Sequence, residues 1–218
     1  MGEPLVSVIV AVRNGERYLT EALDSVALQQ VEDLEIIVVD DGSTDDSAGL
    51  AARHATRPRV VSRPPLGQPA AINEGIRQSR GRYIALLDCD DVWPPGRLNN
   101  MLAAFELKGE SVDLVFGILV NTNSVLQPFG AAGPARMPTA GLLRRTAVVA
   151  VGEFRTDVAH GANVDWISRA KSMGLRFEMI DTPVLLRRVH GDNIGRQRDT
   201  ARVDMLKVIR DHHARQKN

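Results

Sequence analysis

One cysteine stands in the whole chain, Cys89, so no internal disulfide framework holds it, and its scarcity suits a reducing compartment. An excess of either charge is also missing, with 27 basic residues facing 27 acidic ones. No global field therefore draws the chain to nucleic acid or to an anionic membrane. No apolar run approaches the roughly 20 residues that a membrane-spanning helix needs. Met1-Gly2-Glu3-Pro4 puts no basic segment ahead of an apolar one, so no signal peptide is expected. Two phosphate-binding signatures are absent as well: there is no Gly-x-x-x-x-Gly-Lys-Ser/Thr loop, and no Gly-x-Gly-x-x-Gly follows the first apolar run. That sets aside phosphate-cradling ATPases and dinucleotide enzymes. What remains is a cytoplasmic, globular chain. Its 44% hydrophobic and 25% charged residues are ordinary for a packed fold and argue against disorder. Its 218 residues suit a single domain.

What is present is an alternation of strands and helices. Val6 to Val12 is a nearly continuous apolar, β-branched run, as in a strand buried on both faces. A helix follows with Tyr18, Leu19, Ala22, Leu23 and Val26 on one stripe. Leu34 to Val39 is a second buried strand, after which Ser43 or Thr44 is expected to cap a helix with Asp45 and Asp46 in its first turn. Arg59 to Ser62 reads as a short strand, and Pro69 fits the first turn of a helix that closes near Gly81. Ile84 to Leu87 is the next strand. Pro94, Pro95 and Gly96 precede a helix bearing Leu98, Met101, Leu102 and Phe105, and Val112 to Val120 is again a strand. This order implies an α/β fold with a parallel sheet covered on both faces. Beyond Asn121 the pattern loosens: Gln127 to Thr139 reads as a mobile loop. Order returns over Ala140–Val151, then in a helix from about Asn163 to Met173, two strand-like runs (Arg176–Ile180 and Val184–Val189) and a last helix after Asp199.

Chemistry concentrates where two of these strands end. One runs into Asp40-Asp41 and the other into Asp88-Cys89-Asp90-Asp91. In a parallel sheet both ends face one crevice. Carboxylates this close repel each other and lose water on burial, so a positive group must offset them. A hard divalent cation held by one or two carboxylates, and itself bridging a substrate diphosphate, fits that need. The other acidic pair can accept from a nucleoside N–H or hydroxyl. A plain alternative stays open for each, in which the aspartates only cap the helices that follow. Cys89 lies between acids that raise its pKa, so it is not expected to act as a nucleophile.

Four segments, Val6 to Asn14, Val38 to Asp45, Asn73-Glu74-Gly75-Ile76 with Gly81-Arg82-Tyr83-Ile84, and Leu87 to Asp91, stand in the order and spacing of family 2 glycosyltransferases, which the chain resembles densely in its first half and thinly in its second. Those are inverting, GT-A-fold enzymes that use nucleotide-diphosphosugars. The resemblance implies a nucleotide-sugar-binding half over residues 1–120 and an acceptor-side half over 121–218. It implies that Asp41 contacts the nucleobase with help from Ala11, Arg13 and Glu16, that Asn73 belongs to the donor site, and that Asp88 lies near the ribose or the sugar. Asp90 and Asp91 would reach Mn2+ or Mg2+ on the diphosphate. Where family members often carry a basic residue just before the asparagine, this chain has Ala71-Ile72.

The acceptor side needs a general base. In the family this is commonly an aspartate of a Glu-Asp pair at a helix start after a Gly-x-Phe turn. Gly152-Glu153-Phe154 matches the turn, but Ala162-Asn163 stands at the pair, and Asp165 becomes the expected base, with Asp157 second. Asp165 can instead serve its own helix terminus, and Trp166 either lines the acceptor cleft or packs in the core. Arg187-Arg188-Val189-His190-Gly191-Asp192-Asn193 resembles the family's late Arg-x-His-x-x-Asn element, with His190 as a further metal ligand and Arg187 or Arg188 steadying the departing charge. From Arg187 onward nine Lys/Arg outnumber four Asp, a tail that can meet anionic lipid at a membrane surface or a phosphorylated acceptor, or simply form a solvated helix face. The resulting expectation is a metal-dependent glycosyltransferase acting on a UDP-sugar and an unknown acceptor. A sugar nucleotidyltransferase and a GT-A module that binds nucleotide-sugar without turnover are the alternatives.

Overall fold

The computed structural model describes residues 2–158, 160–191 and 198–215. In chain order the elements are β1 (Val6–Val12), α1 (Leu19–Ala27), β2 (Leu34–Asp40), α2 (Ser47–Arg53), β3 (Arg59–Ser62), α3 (Gln68–Gln78), β4 (Tyr83–Asp88), α4 (Arg97–Lys108), β5 (Leu114–Thr122), β6 (Gly133–Ala135), β7 (Gly141–Arg144), α5 (Arg145–Val151), α6 (Ala162–Ser172), β8 (Phe177–Arg188) and α7 (Arg198–Arg215). One sheet takes in all eight strands in the order β3-β2-β1-β4-β7-β5-β6, with β8 also paired to β5. β1 to β4 run parallel, β7 lies antiparallel between β4 and β5, and β8 returns parallel to β5.

β1 explains why its sequence is apolar but for Ser7. Val6, Val8, Val10 and Val12 pack with α1 and α4, while Ile9 and Ala11 pack with α3, α5 and α6 on the other face. A strand covered on both sides has no solvent face to alternate toward. Gly75 lets α3 close on this strand, since a Cβ there would fall 2.3 Å from Ile9 Cγ2. Register then sets up the site: Val12 pairs with Asp40 and Ala11 pairs with Asp88. Both acidic ends thus flank the end of β1, at the point where the chain's connections leave in opposite directions.

Several sequence expectations change. α2 begins at Ser47 rather than at Ser43 or Thr44, because those two residues are spent on the neighbouring loop: the amide of Asn14 donates to Ser43 Oγ at 2.9 Å, and Asn14 Oδ1 accepts from the Thr44 amide at 2.8 Å. The segment expected as a mobile loop contains β6, hydrogen-bonded to the edge of β5. The two late strand-like runs form one strand, β8. Among the described residues no helix is long and apolar enough to cross a membrane.

Candidate functional site

A cleft of about 1470 Å³ opens over the ends of β1 and β4. Ala11, Arg13, Asp41, Asp88, Asp90, Asp91, Arg187, Arg188 and His190 all line it, together with residues of α3, of the segment after β6, of α6 and of α7. This exceeds the few hundred to 1,000 Å³ of an ordinary small-molecule pocket.

The acidic turn after β4 forms one end. A two-way backbone bridge between Val92 and Leu186, at 3.1 and 2.9 Å, draws the end of β8 alongside it. Arg188, although almost wholly buried, is fully engaged there. Its amide donates to Asp91 Oδ1 at 2.8 Å, its Nε to the Asp90 carbonyl at 2.8 Å, its Nη1 to the Ser124 carbonyl at 2.5 Å and its Nη2 to Glu21 of α1. It therefore fastens the turn rather than reaching into the cleft as a free cation. His190 turns its Nε2 to Asp90 Oδ2 at 3.0 Å, and its ring lies 5.0 Å from that of Tyr18. Asp192 and Asn193 of the same expected element lie outside the described residues.

Two carboxyls at this end are shifted upward. Burial first, and then the charge of Asp90, push Asp88 up to about 7, against a hydrogen bond from Gln68 and the charge of Arg187. Asp91 is likewise raised well above the carboxylate range, by burial and then by Asp88 and Asp90. Burial and the same acids raise the Cys89 thiol, which leaves it inert as a nucleophile. Strained carboxylates beside an imidazole suit a hard divalent cation. Among the described residues no group of three His, Cys, Asp or Glu side chains is arranged to hold a metal by itself. Asp90 and His190 converge as a pair, which matches a cation that takes its remaining ligands from water and substrate phosphates.

At the other acidic end Asp41 is consumed internally. Its carboxylate accepts from the amides of Leu66 at 3.0 Å and Gly67 at 2.7 Å and lies 3.5 Å from Arg63 Nε, so it shapes the turn into α3. Glu16 lies outside the cleft wall. Its amide donates to Asp45 and its carboxylate accepts from the Asp46 amide, both at 3.1 Å, which locks the Arg13–Glu16 loop to the turn after β2. Asn73 is also placed away from the cleft: it is buried, and its amide exchanges two hydrogen bonds with the Phe154 backbone, at 2.7 and 2.8 Å. It ties α3 to the loop before α6.

α6 makes the far wall with Asn163, Val164, Ile167, Ser168 and Lys171, a single helical face. Asp165 is on the opposite face. Its carboxylate is buried, bonded to Arg169 Nε at 2.9 Å and 3.8 Å from Arg155 Nη1. The expected base is thus turned away from the cleft, because the helix rotates to bury Trp166, which stacks on Phe154 at 5.3 Å and donates to the Gly152 carbonyl at 2.9 Å. Trp166 is core. Asp157 fares no better as a base, being outside the cleft wall and paired with Arg155 at 2.8 Å and with Lys207, and those hydrogen bonds hold it well below the usual carboxylate range. Sequence reasoning missed Gln68, whose Nε2 donates to Asp88 at 2.7 Å, as well as Arg136, Met137, His160 and Met205 on the cleft wall. None carried a local signal, since they reach the cleft through tertiary placement.

The model of the family described as Glycosyl transferase family 2 matches residues 7–146, well over half of the chain. The chain belongs to that family. An uncharacterized glycosyltransferase of Nostoc is 37% identical over 105 residues, covering 46% of this chain and 33% of its own length. Staphylococcus aureus TarS residues 1–349 in complex with UDP-GlcNAc superposes with a TM-score of 0.76 at 19% identity, over 93% of this chain and 65% of that one. The mannosyltransferase PcManGT from Pyrobaculum calidifontis, in complex with GDP-Man and Mn2+, gives 0.74 at 20% identity, over 97% and 64%. At these identities the structural likeness establishes the GT-A fold, and it extends past residue 146 to nearly the whole chain. This family 2 chain spans about a third of the length of the curated relatives it matches. The family match covers the acidic turn, whereas α6, His190 and His160 lie beyond it and rest on geometry.

Proposed function

We propose that the chain moves a sugar from a nucleotide-diphosphosugar, by default a UDP-sugar, to an acceptor hydroxyl with inversion, assisted by Mn2+ or Mg2+. The observation that carries this is the gathering of Asp88, Asp90, Asp91 and His190 around one end of a large cleft, with Asp88 and Asp91 raised by burial and then by their neighbouring carboxylates. TarS is solved with UDP-GlcNAc and PcManGT with GDP-Man and Mn2+, which supports the donor class and the cation. Asp90 and His190 are the groups that would hold the cation, and when bound it would neutralise charge developing on the departing diphosphate. Arg188 keeps the turn in shape, Gln68 orients Asp88, and the Asp41-bound turn at Leu66-Gly67 forms the nucleoside end. A non-catalytic nucleotide-sugar-binding module is the second reading, favoured by the burial of Asp165 beneath two arginines.

Calorimetric titration of UDP and GDP with and without Mn2+, on wild type and Asp90→Ala, tests the donor site. Metal-dependent binding that Asp90→Ala abolishes is the expected result, and failure to bind either nucleotide would sink the proposal. Release of nucleotide from UDP-GlcNAc or GDP-mannose then separates the enzyme from the binding module.

A further inference from the structure

We infer that the outer face of α7 docks the protein on an anionic lipid surface, an inference that stands apart from the transferase reading above. At 3.6 residues per turn, Ile209, Arg202, Leu206, Arg210 and Val203 follow one another round the helix over about 120°. All five are exposed, the aliphatics at 46% for Ile209, 60% for Leu206 and 67% for Val203. Every other helix exposes at most one large apolar side chain among the described residues. A lone exposed aliphatic is ordinary, whereas three within two turns of one helix form a patch that calls for a partner. On the opposite side α7 already has its seat in the domain. Val208 is buried there, and its Cγ2 comes within 3.3 Å of where a Cβ at Gly161 would lie. The helix is therefore apolar on two sides, and the domain covers one of them.

Charge decides what meets the outer side. The stripe carries Arg202 and Arg210 and no acid. The carboxylates of Asp204 and Asp211 lie toward the domain, where Asp204 accepts from the His160 amide at 2.9 Å and Asp211 pairs with Arg155 at 3.0 Å. Lys207 is likewise paired with Asp157. Arg210, at the edge of the stripe, lies 3.3 Å from Asp211 with its side chain still 74% exposed. A second copy meeting this face about a two-fold axis would set the two arginines of one stripe against those of the other, with no acid between them. A bilayer with anionic headgroups matches both components instead. Its phosphates pair with the guanidiniums while the aliphatics enter the boundary of the acyl chains. No helix among the described residues is apolar and long enough to cross a membrane, so α7 would lie in the surface. The chain's 27 basic and 27 acidic residues balance overall, which makes this attraction local to the stripe. Met205, next to Ile209 round the helix, lines the cleft, so docking brings the α6–α7 wall of the cleft beside the lipid.

The test is co-sedimentation of the full chain with vesicles of phosphatidylcholine alone and of phosphatidylcholine with about one-third phosphatidylglycerol. Binding is expected to the mixed vesicles and not to phosphatidylcholine, and it should fade as salt rises. Arg202→Gln and Arg210→Gln should each weaken the partition about fivefold. Leu206→Ser should weaken it about tenfold, whereas Leu107→Ser, an exposed leucine of α4, should leave it unchanged. Leu206→Trp gives a direct reading, because Trp93 and Trp166 are both buried. Its emission should shift to the blue on mixed vesicles as residue 206 leaves water. Failure to bind mixed vesicles, equal binding to phosphatidylcholine, or binding that Leu206→Ser and the glutamine variants leave intact overturns the inference. A concentration-dependent dimer that Leu206→Ser abolishes also overturns it, and assigns the face to a second copy. None of these outcomes bears on nucleotide binding, so the transferase reading stands or falls separately.

Discussion

His190 Nε2 lies 3.0 Å from Asp90 Oδ2, although the two residues are 100 positions apart in the chain. The contact exists because the Val92–Leu186 bridge and the two bonds of Arg188 to Asp90 and Asp91 bring the end of β8 against the turn after β4. The acidic turn and the imidazole are therefore one unit, assembled from both halves of the sequence.

His190→Gln should weaken the metal-dependent part of nucleotide binding by about tenfold, the order usual for groups that orient a metal ligand. Nucleotide affinity without metal should stay near wild type. Paired calorimetric titrations with and without Mn2+ read both, and an equal loss in each would show that His190 serves the nucleotide instead.

Asp88 makes the metal-free protein sensitive to pH in a defined direction. Its folded-state pKa is about 7 against 3.8 for an ordinary aspartate, so between those limits the native state holds a proton that the unfolded chain has released. Rising pH then costs native stability, and the penalty is complete above about pH 7. Asp88→Asn removes it. The melting temperature of metal-free Asp88→Asn should match wild type near pH 4 and exceed it by several degrees at pH 8. A constant offset across that range would contradict the assignment.

Asp165→Ala should act on stability, since it removes the buried carboxylate that accepts from Arg169 Nε and lies beside Arg155. Breaking such a pair costs about 3 kcal/mol, or a fall in Tm of roughly 10 °C. Donor affinity, measured below the transition, should be unchanged. A variant that melts like wild type but no longer turns over would restore Asp165 as the base.

Asn73→Ala removes both hydrogen bonds to the Phe154 backbone and leaves a buried N–H and C=O without their side-chain partner. A cost of about 2–4 kcal/mol is expected, again with little change in nucleotide affinity. Chemical denaturation with a parallel UDP titration checks both halves of that statement.

The strands of the first half were legible because burial on both faces writes itself as nearly unbroken apolar runs, and Val6–Val12 is interrupted by Ser7 alone. The acidic ends stood out for a related reason, since such a run breaks there abruptly into clustered carboxylates. The rotation of α6 was not. Asn163 and Asp165 are two positions apart, and only the seating of Trp166 on Phe154 decides which of them meets the cleft. Asp41 and Asn73 matched the family motif, yet their partners, the Leu66 and Gly67 amides and the Phe154 backbone, are set by tertiary closure. β6 was hidden because Gly133-Pro134-Ala135 has little strand propensity of its own and owes its form to the open edge of β5.

α6 keeps its two duties on opposite sides. The side carrying Asp165, Trp166 and Arg169 anchors the helix, while Asn163, Val164, Ser168 and Lys171 line the cleft and Ile167 serves both. On the proposed function, a change of acceptor would then bear little on the integrity of the fold. Asn163, Val164, Ser168 and Lys171 can drift or be redesigned, one helical turn at a time, while the Trp166 side of the same helix keeps its seat.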